Sequence, residues 1–191
     1  MVVFLRCRAD RRPVDLVAVD KSFSFYRTLY SSLHLSSNGY VTFGSGYPYP
    51  GGNTVPSTFP PNNAIYAFWD DLNPANGAQG TIYTQLVDGH LFVVEFYQVQ
   101  HYPSGDPETF EIVLNLSSGR ITLQYLDVRD TSRTSVGVEN SSGTAGLAYA
   151  YHDPAIPSDG LAIFFHPAFG TPAAPPETCL HLPLLFRTRP D

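Results

Sequence analysis

The sequence predicts an all-β protein, an antiparallel β-sandwich of jelly-roll-like type with about ten strands joined by short hairpins. Aromatic residues form 14% of the chain and charged residues only 15%, whereas about 25% charged is usual. Tyr, Phe, Thr and Val suit a half-buried pleated surface. Seventeen prolines and fifteen glycines interrupt the chain too often for long helices. No apolar pattern of helical period persists for three turns.

Glycine-containing turns separate the predicted strands. Asn38-Gly39 lies between an alternating segment that begins at Phe23 and a returning strand, 40–43. Asp88-Gly89 joins residues 81–87 to residues 90–97, and Asn-Gly and Asp-Gly pairs accept the positive φ angles of a tight hairpin. A further meander joins residues 110–116 to residues 120–126 through Ser117-Ser118-Gly119. These segments therefore predict antiparallel neighbours.

A nearly continuous apolar run, residues 64–69, predicts a central strand that is covered on both faces. The preceding residues, 44–61, are rich in glycine and proline and predict a long surface loop. Residues 134–138, 147–151 and 161–165 complete the predicted strands.

Composition divides the chain into three parts. Residues 1–22 form an N-terminal arm or edge strand, residues 23–169 form the sandwich, and residues 170–191 form a proline-rich linker with an apolar C-terminal tail. Cys7 and Cys179 lie in opposite arms, so a disulfide between them requires both arms to return to one place.

Charge excludes one class of partner. Between Lys21 and Gly170, five basic residues face twelve acidic ones, and such a surface repels phosphate backbones, so nucleic acid is not expected as a partner. No apolar run approaches the roughly 18 residues of a membrane span. Arg6 and Arg8 interrupt the apolar N-terminus, so the chain as given carries no signal peptide.

Catalytic motifs are missing from the sequence. There is no G-x-S-x-G, H-E-x-x-H or S-x-x-K motif and no phosphate-binding loop. The six histidines are scattered singly, without the i, i+2 or i, i+4 spacing of a metal site. The sequence therefore predicts a protein that is not an enzyme.

Asp70, Asp71 and Asn73 form the densest cluster of oxygen ligands, where the apolar strand ends. Closely spaced carboxylate and amide oxygens in a turn are what calcium needs, so this loop is a candidate calcium site and no other cofactor is expected. An alternative stays open, because Asp and Asn also end strands by bonding their own turn backbone, especially before a proline such as Pro74.

Tyrosines supply the candidate ligand-facing surface, since aromatic rings offer contact area at low entropic cost. The four candidates are Tyr47, Tyr49, Tyr102 and Tyr151. In an alternative hypothesis, Asp70 and Glu95 form a glycosidase-like carboxylate pair. Glu95 is the one acid in an apolar strand and is expected to face solvent.

The order of the motifs resembles a known type of module. NGYVTFG at 38–44 precedes IYAFWDDL at 65–72, GTIY at 80–83 and FVVEF at 92–96, and then come FEIVLNLSSGRITLQYLDV at 110–128 and SVGVENSSG at 135–143. This order resembles a β-sandwich accessory module of bacterial exported proteins, often found beside subtilisin-like peptidases. The module is distantly similar to the nidogen-type extracellular domain.

The resemblance implies a non-catalytic accessory or binding module of a larger secreted protein, located outside the cell or at its surface. Its expected partner is a protein or carbohydrate ligand, with a covalently linked peptidase domain in a longer form. Two rivals stay open. One is a carboxylate-dependent hydrolase, and the other is a structural or adhesive subunit that assembles through sheet edges.

Overall fold

The computed structural model describes residues 5–7, 14–76 and 80–167, which contain thirteen β-strands and no helix. All strand pairs in this part are antiparallel, and they form two sheets. The first sheet contains β1 (Leu5–Cys7), β6 (Leu72–Asn73), β7 (Thr81–Val87), β8 (Leu91–His101), β9 (Pro107–Asn115), β10 (Ile121–Asp127) and β13 (Ala162–Phe165). The second contains β2 (Val14–Phe25), β3 (Thr28–Ser36), β4 (Tyr40–Thr42), β5 (Ala64–Trp69), β11 (Ser135–Glu139) and β12 (Gly146–Tyr151).

The all-β sandwich is confirmed, but its strand order is not that of a jelly roll. The first sheet has the order β1-β7-β8-β9-β10-β13, with β6 beside β8, and the second has the order β12-β11-β5-β4-β3-β2. Each sheet is therefore built around a meander of four consecutive strands. A jelly roll contains Greek keys, which need long connections between strands. The tight turns at Gly39, Gly89 and Gly119, each with positive φ, instead return the chain to the neighbouring position in the same sheet.

The core lies between the two sheets and is rich in stacked aromatic rings. The ring of Phe110 stacks on Phe96 at 4.5 Å and on Phe68 at 5.2 Å between centroids. Phe68 belongs to β5, whose six residues are all buried, as the apolar run predicts. Because Phe68 is in the second sheet and Phe96 and Phe110 are in the first, this stack joins the two sheets.

The glycine- and proline-rich segment 44–63 covers the outer face of the second sheet. On that face, Tyr40, Tyr66 and Trp69 form a small apolar cluster with Val55 from the segment itself. The rings of Tyr66 and Trp69 stack at 4.6 Å. The segment is a surface loop, as predicted, but it also buries aromatic side chains that would otherwise face water.

Glu139 anchors this loop from the end of β11. Its carboxylate accepts the backbone N–H of Ser57 at 2.8 Å and the hydroxyl of Tyr66 at 2.5 Å. Burial raises the pKa of Glu139. A carboxylate in the outer layer therefore joins the loop to the sheet.

Strand β2 is one continuous strand at the edge of the second sheet, so it extends across the boundary between residues 22 and 23. Cys7 belongs to β1, where its Cα is paired with Ile82. Cys179 and residues 170–191 lie outside the described residues, so the disulfide stays a prediction.

Candidate functional site

Several connections meet at one end of the sandwich, where β5 and β8 end and β11 begins. They enclose a shallow cleft of about 280 Å³ that is open to solvent. It is lined by Pro50, Gly51, Gly52, Asp70, Asp71, Arg133 and His152. We call it the tyrosine cleft after the tyrosines that adjoin these lining residues.

A buried histidine between two carboxylates supports the floor of the cleft. His101 Nε2 lies 2.9 Å from Glu108 Oε1, and His101 Nδ1 lies 3.2 Å from Asp70 Oδ2. Burial disfavours the imidazolium, but the bonds to Asp70 and Glu108 and their charges outweigh it and raise the pKa of His101 to about 9. At neutral pH the group is therefore a cation between two anions.

Glu108 also fixes the connection that follows β10. Its Oε2 accepts the backbone N–H of Arg129 at 2.8 Å, and its Oε1 accepts that of Asp130 at 3.2 Å. The side chain of Glu108 is fully buried, so these bonds and the contact with His101 replace the water that it loses. One carboxylate thus holds two connections at the cleft end.

Asp71 and Arg133 form the charged wall of the cleft. Arg133 Nε lies 3.8 Å from Asp70 Oδ2, while more than half of the Arg133 side chain is exposed. Burial and the charge of Asp70 raise the pKa of Asp71. The cleft therefore presents both a carboxylate and a guanidinium to a ligand.

Gly52 brings the tip of loop 44–63 against the sheet. A Cβ at this position would lie 2.7 Å from Ser135 Oγ and 2.8 Å from the backbone oxygen of Trp69, too close for any other residue. The Trp69 indole donates to the Tyr49 carbonyl at 3.2 Å. These contacts hold the loop tip at the cleft.

The candidate tyrosines collect around this cleft. Tyr49, Tyr102 and Tyr151 are 45%, 46% and 45% exposed. Tyr49 precedes the cleft residue Pro50, and its ring stacks on Tyr47 at 6.1 Å. Tyr151 stacks on the cleft residue His152 at 4.0 Å, and the Tyr102 backbone N–H donates to the Asp71 carbonyl at 2.7 Å. The structure thus places these three tyrosines beside residues that line the same cleft as the acids Asp70 and Asp71.

Asn73 takes a separate position in β6. Its Oδ1 accepts the backbone N–H of Ala75 at 3.0 Å and its Nδ2 donates to Asn76 at 3.0 Å. Asp70 Oδ1 accepts the N–H of Asp71 at 2.7 Å. No group of three or more His, Cys, Asp or Glu side chains in the described ranges is arranged to hold a metal ion. The calcium site stays a prediction.

Sequence patterns did not reveal that His101 and Arg133 are partners of Asp70, or that Glu108 is the second partner of His101. His101 and Glu108 face each other across the connection between β8 and β9, so their spacing of seven residues matches no common motif. A histidine and a glutamate in the single connection between the predicted strands 90–97 and 110–116 were the one available signal. Arg133 reaches Asp70 only because β11 pairs with β5.

Glu95 lies on a different surface from Asp70, and it is buried rather than solvent-facing as predicted. It is paired directly with Glu111 on the outer face of the first sheet, opposite the core residues Phe96 and Phe110. Both glutamates are less than 5% exposed. The hypothesis of a catalytic pair formed by Asp70 and Glu95 was therefore wrong, because the two carboxylates do not share a cleft.

Comparison with protein families identifies the whole sandwich. The model of the family described as NIDO related matches residues 5–168. The chain belongs to the NIDO-related family. The matched range of this NIDO-related chain includes every residue that lines the tyrosine cleft. No curated protein and no solved structure gives a significant match. Among the described residues, no helix is long and apolar enough to cross a membrane.

Proposed function

We propose that this NIDO-related chain is a non-catalytic extracellular binding module that contacts a protein or carbohydrate through the tyrosine cleft. The observation that carries the proposal is that Tyr49, Tyr102 and Tyr151 are each nearly half exposed and each adjoin a residue that lines one cleft, namely Pro50, Asp71 and His152. Exposed aromatic rings on a rigid base are typical of binding surfaces.

The base of the cleft is built for rigidity. His101 contacts carboxylates on both of its ring nitrogens, and Glu108 also accepts two backbone N–H groups. Side chains held in this way keep the residues of the cleft in fixed positions. This arrangement supports a binding role over proton transfer, in which a histidine must exchange a proton with a substrate.

Family membership supports an extracellular setting. The motif order from Asn38 to Gly143 further supports an accessory module of a larger bacterial exported protein, with a peptidase domain as the covalent neighbour. The DNA on both sides of the reading frame tests this setting. An in-frame export signal or peptidase domain is expected, and a genomic neighbourhood of cytoplasmic enzymes without either would contradict it.

A binding screen with matched variants tests the role of the cleft. Arrays of glycans, cell-wall fragments and extracellular proteins are probed with the unsubstituted chain, with the double variant Tyr102→Ala/Tyr151→Ala and with Phe59→Ala. Phe59 is 74% exposed and lies near Ser57, which bonds to Glu139 at the opposite end of β11. We expect the double variant to bind at least tenfold more weakly and Phe59→Ala to bind normally. Equal binding by all three proteins would refute the role of the cleft.

A second candidate function is assembly through a sheet edge. Strand β12 is the edge of the second sheet, and it exposes Leu147 by 63% and Tyr149 by 46%. Unpaired edge groups beside apolar side chains favour pairing with another chain. Multi-angle light scattering that shows oligomers of the unsubstituted chain and monomers of Leu147→Lys would support this function. A monomeric unsubstituted chain at high concentration would refute it.

A further inference from the structure

Negative charge is concentrated at the end of the sandwich that holds the tyrosine cleft. The acidic residues in or beside the connections at this end are Asp70, Asp71, Asp106, Glu108, Asp127, Asp130, Asp153 and Asp159. The arginines in the same connections are Arg129 and Arg133. A local excess of this size creates a field that attracts cations to the cleft.

Each arginine at this end lies near one carboxylate of its own. Arg129 Nε lies 3.0 Å from Asp127 Oδ1, and Arg133 is close to Asp70. Other carboxylates bond to neutral groups and so keep their charge. Asp130 accepts the Ser132 hydroxyl at 2.7 Å, which is among the causes that lower the pKa of Asp130.

Two further carboxylates beside the cleft accept backbone N–H groups. Asp153 Oδ1 accepts the N–H of Ala155 at 2.9 Å, and Asp159 Oδ1 accepts that of Val128 at 2.8 Å. These bonds orient both side chains without neutralising them. At the base of the cleft, the positive charges of His101 and Arg133 balance the negative charges of Asp70 and Glu108. The rim therefore carries the net negative charge.

The negative charge and the exposed tyrosine rings together favour a cationic ligand. Lys and Arg cations bind over the faces of aromatic rings and are drawn to nearby carboxylates. The Tyr151 ring stacks on the cleft residue His152, and the Tyr102 backbone N–H donates to the backbone carbonyl of the cleft residue Asp71, so both tyrosines adjoin residues that line the cleft. The acids at this end outnumber Arg133 and Arg129, so an anionic ligand would meet net repulsion, and a neutral sugar would gain nothing from the field.

We propose that the tyrosine cleft binds a lysine or arginine side chain from a basic segment of a partner protein. This inference rests on the proposed function and specifies the partner. The cation enters beside Asp71 and packs against the rings of Tyr102 and Tyr151, while the surrounding acids attract the rest of the basic segment.

Fluorescence anisotropy with designed peptides tests the inference on the full chain. The probes are a fluorescein-labelled peptide of six alternating Gly-Lys pairs and the matched Gly-Glu peptide, with maltohexaose as a neutral competitor. We expect binding of the Gly-Lys probe alone and at least a tenfold loss of affinity between 50 and 300 mM NaCl, because ion pairing is screened by salt. Binding of the Gly-Glu probe, or displacement by maltohexaose, would overturn the inference.

Charge-matched variants separate the cleft from the general acidity of the protein. Asp71→Asn and Asp88→Asn each remove one negative charge, but Asp88 lies in the exposed β7-β8 turn away from the cleft. Asp71→Asn and Tyr151→Ala are expected to weaken binding of the Gly-Lys probe five- to tenfold, with Asp88→Asn and Phe59→Ala close to the unsubstituted chain. Equal effects of Asp71→Asn and Asp88→Asn would overturn the inference.

The outcomes also distinguish this inference from the proposed function. If the cleft binds a neutral glycan and Asp71→Asn has no effect, the basic partner is refuted and the binding module stands. If the chain binds neither the Gly-Lys probe nor any member of the arrays, both fail. If light scattering shows a dimer that Asp71→Asn dissociates, the cleft binds a second copy of this chain. That result would overturn the inference of a separate basic partner.

Discussion

His101, at the end of β8 in the first sheet, lies 3.2 Å from Asp70, which follows β5 in the second sheet. Thirty-one positions separate the two residues in the sequence, and both side chains are nearly fully buried. With Glu108 on the other ring nitrogen, the contact joins the two sheets directly beneath the tyrosine cleft. The positions of the residues that line the cleft therefore depend on the buried imidazolium of His101.

Substituting His101 is expected to destabilise the fold strongly. His101→Ala removes the cation and leaves Asp70 and Glu108 buried without it, which typically costs about 3–5 kcal/mol. Urea denaturation followed by circular dichroism measures the change in the free energy of unfolding. The control His166→Ala, at an exposed position, should stay within about 0.5 kcal/mol of the unsubstituted chain. Similar values for both variants would contradict a structural role of the ion pairs.

The stability contributed by His101 should depend on pH in a defined window. The pKa of His101 is raised from 6.5 to about 9, so the folded state retains a proton that the unfolded chain releases. The contribution is full below pH 6.5 and is lost as the pH rises towards 9. Melting temperatures between pH 6 and pH 9.5 should fall for the unsubstituted chain and fall less for His101→Ala. Parallel curves would contradict the raised pKa.

Glu111 should make the protein less stable as its carboxyl group ionises. Burial, together with the charge of Glu95, raises the pKa of Glu111 to about 8, and its Oε1 is buried without a hydrogen-bond partner. The folded state binds the proton more tightly, so this contribution to stability declines between pH 4.5 and pH 8. Glu111→Gln should be more stable than the unsubstituted chain by about 1–3 kcal/mol at pH 8. A loss of stability at that pH would show that the ionised carboxylate is favourable.

Removing the carboxylate of Glu139 should release loop 44–63. Glu139→Ala removes the acceptor for the part-buried Ser57 N–H and one of the two acceptors beside the Tyr66 hydroxyl, the other being the Pro61 carbonyl. Leaving a buried donor unpaired costs about 1–3 kcal/mol, so the loss should lie at the lower end of that range. Hydrogen exchange of residues 53–62 should accelerate at least tenfold, whereas Glu139→Gln, which keeps one acceptor oxygen, should show a smaller change. Unchanged exchange in Glu139→Ala would mean that the aromatic cluster alone holds the loop.

Millimolar calcium tests the predicted site at Asp70, Asp71 and Asn73, and the contacts that these side chains already make favour an unchanged melting temperature. Asp70 Oδ1 accepts the Asp71 N–H, and its Oδ2 faces His101 and Arg133, so calcium would compete with two positively charged groups. Asn73 Oδ1 is engaged by the Ala75 N–H. Thermal unfolding with 5 mM CaCl₂ and with 5 mM EGTA makes the comparison. A rise of several degrees in calcium that Asp71→Asn abolishes would establish the predicted calcium site instead.

Local signals predicted much of the fold. The Asp88-Gly89 pair indicated the β7-β8 hairpin, and the run 64–69 indicated the fully buried strand β5. Both signals depend on residues that are close in sequence, namely a turn that needs positive φ and a strand without a polar face. Such signals do not state which sheet each hairpin joins, so the order of the strands came only from the structure.

The candidate site was predicted in pieces and assembled only by the tertiary structure. Exposed tyrosines and the acids after β5 were chosen from residue type, but their meeting at one cleft depends on the loop tip at Gly52 and on the pairing of β11 with β5. The prediction for Glu95 was wrong for a related reason. A single charge in an apolar strand indicates the face away from the core, yet burial of that face depends on long-range packing.

The sequence by itself determined the all-β class, the hairpin turns, the apolar central strand and the acidic balance, because each follows from composition or from neighbours a few residues apart. Only the tertiary structure decided that Asp70 faces His101, that Glu95 faces Glu111 and that a glycine-rich loop covers the second sheet. These relationships join residues that are distant in the chain. Their partners are selected by sheet register and by the packing of the whole domain, which no local pattern encodes.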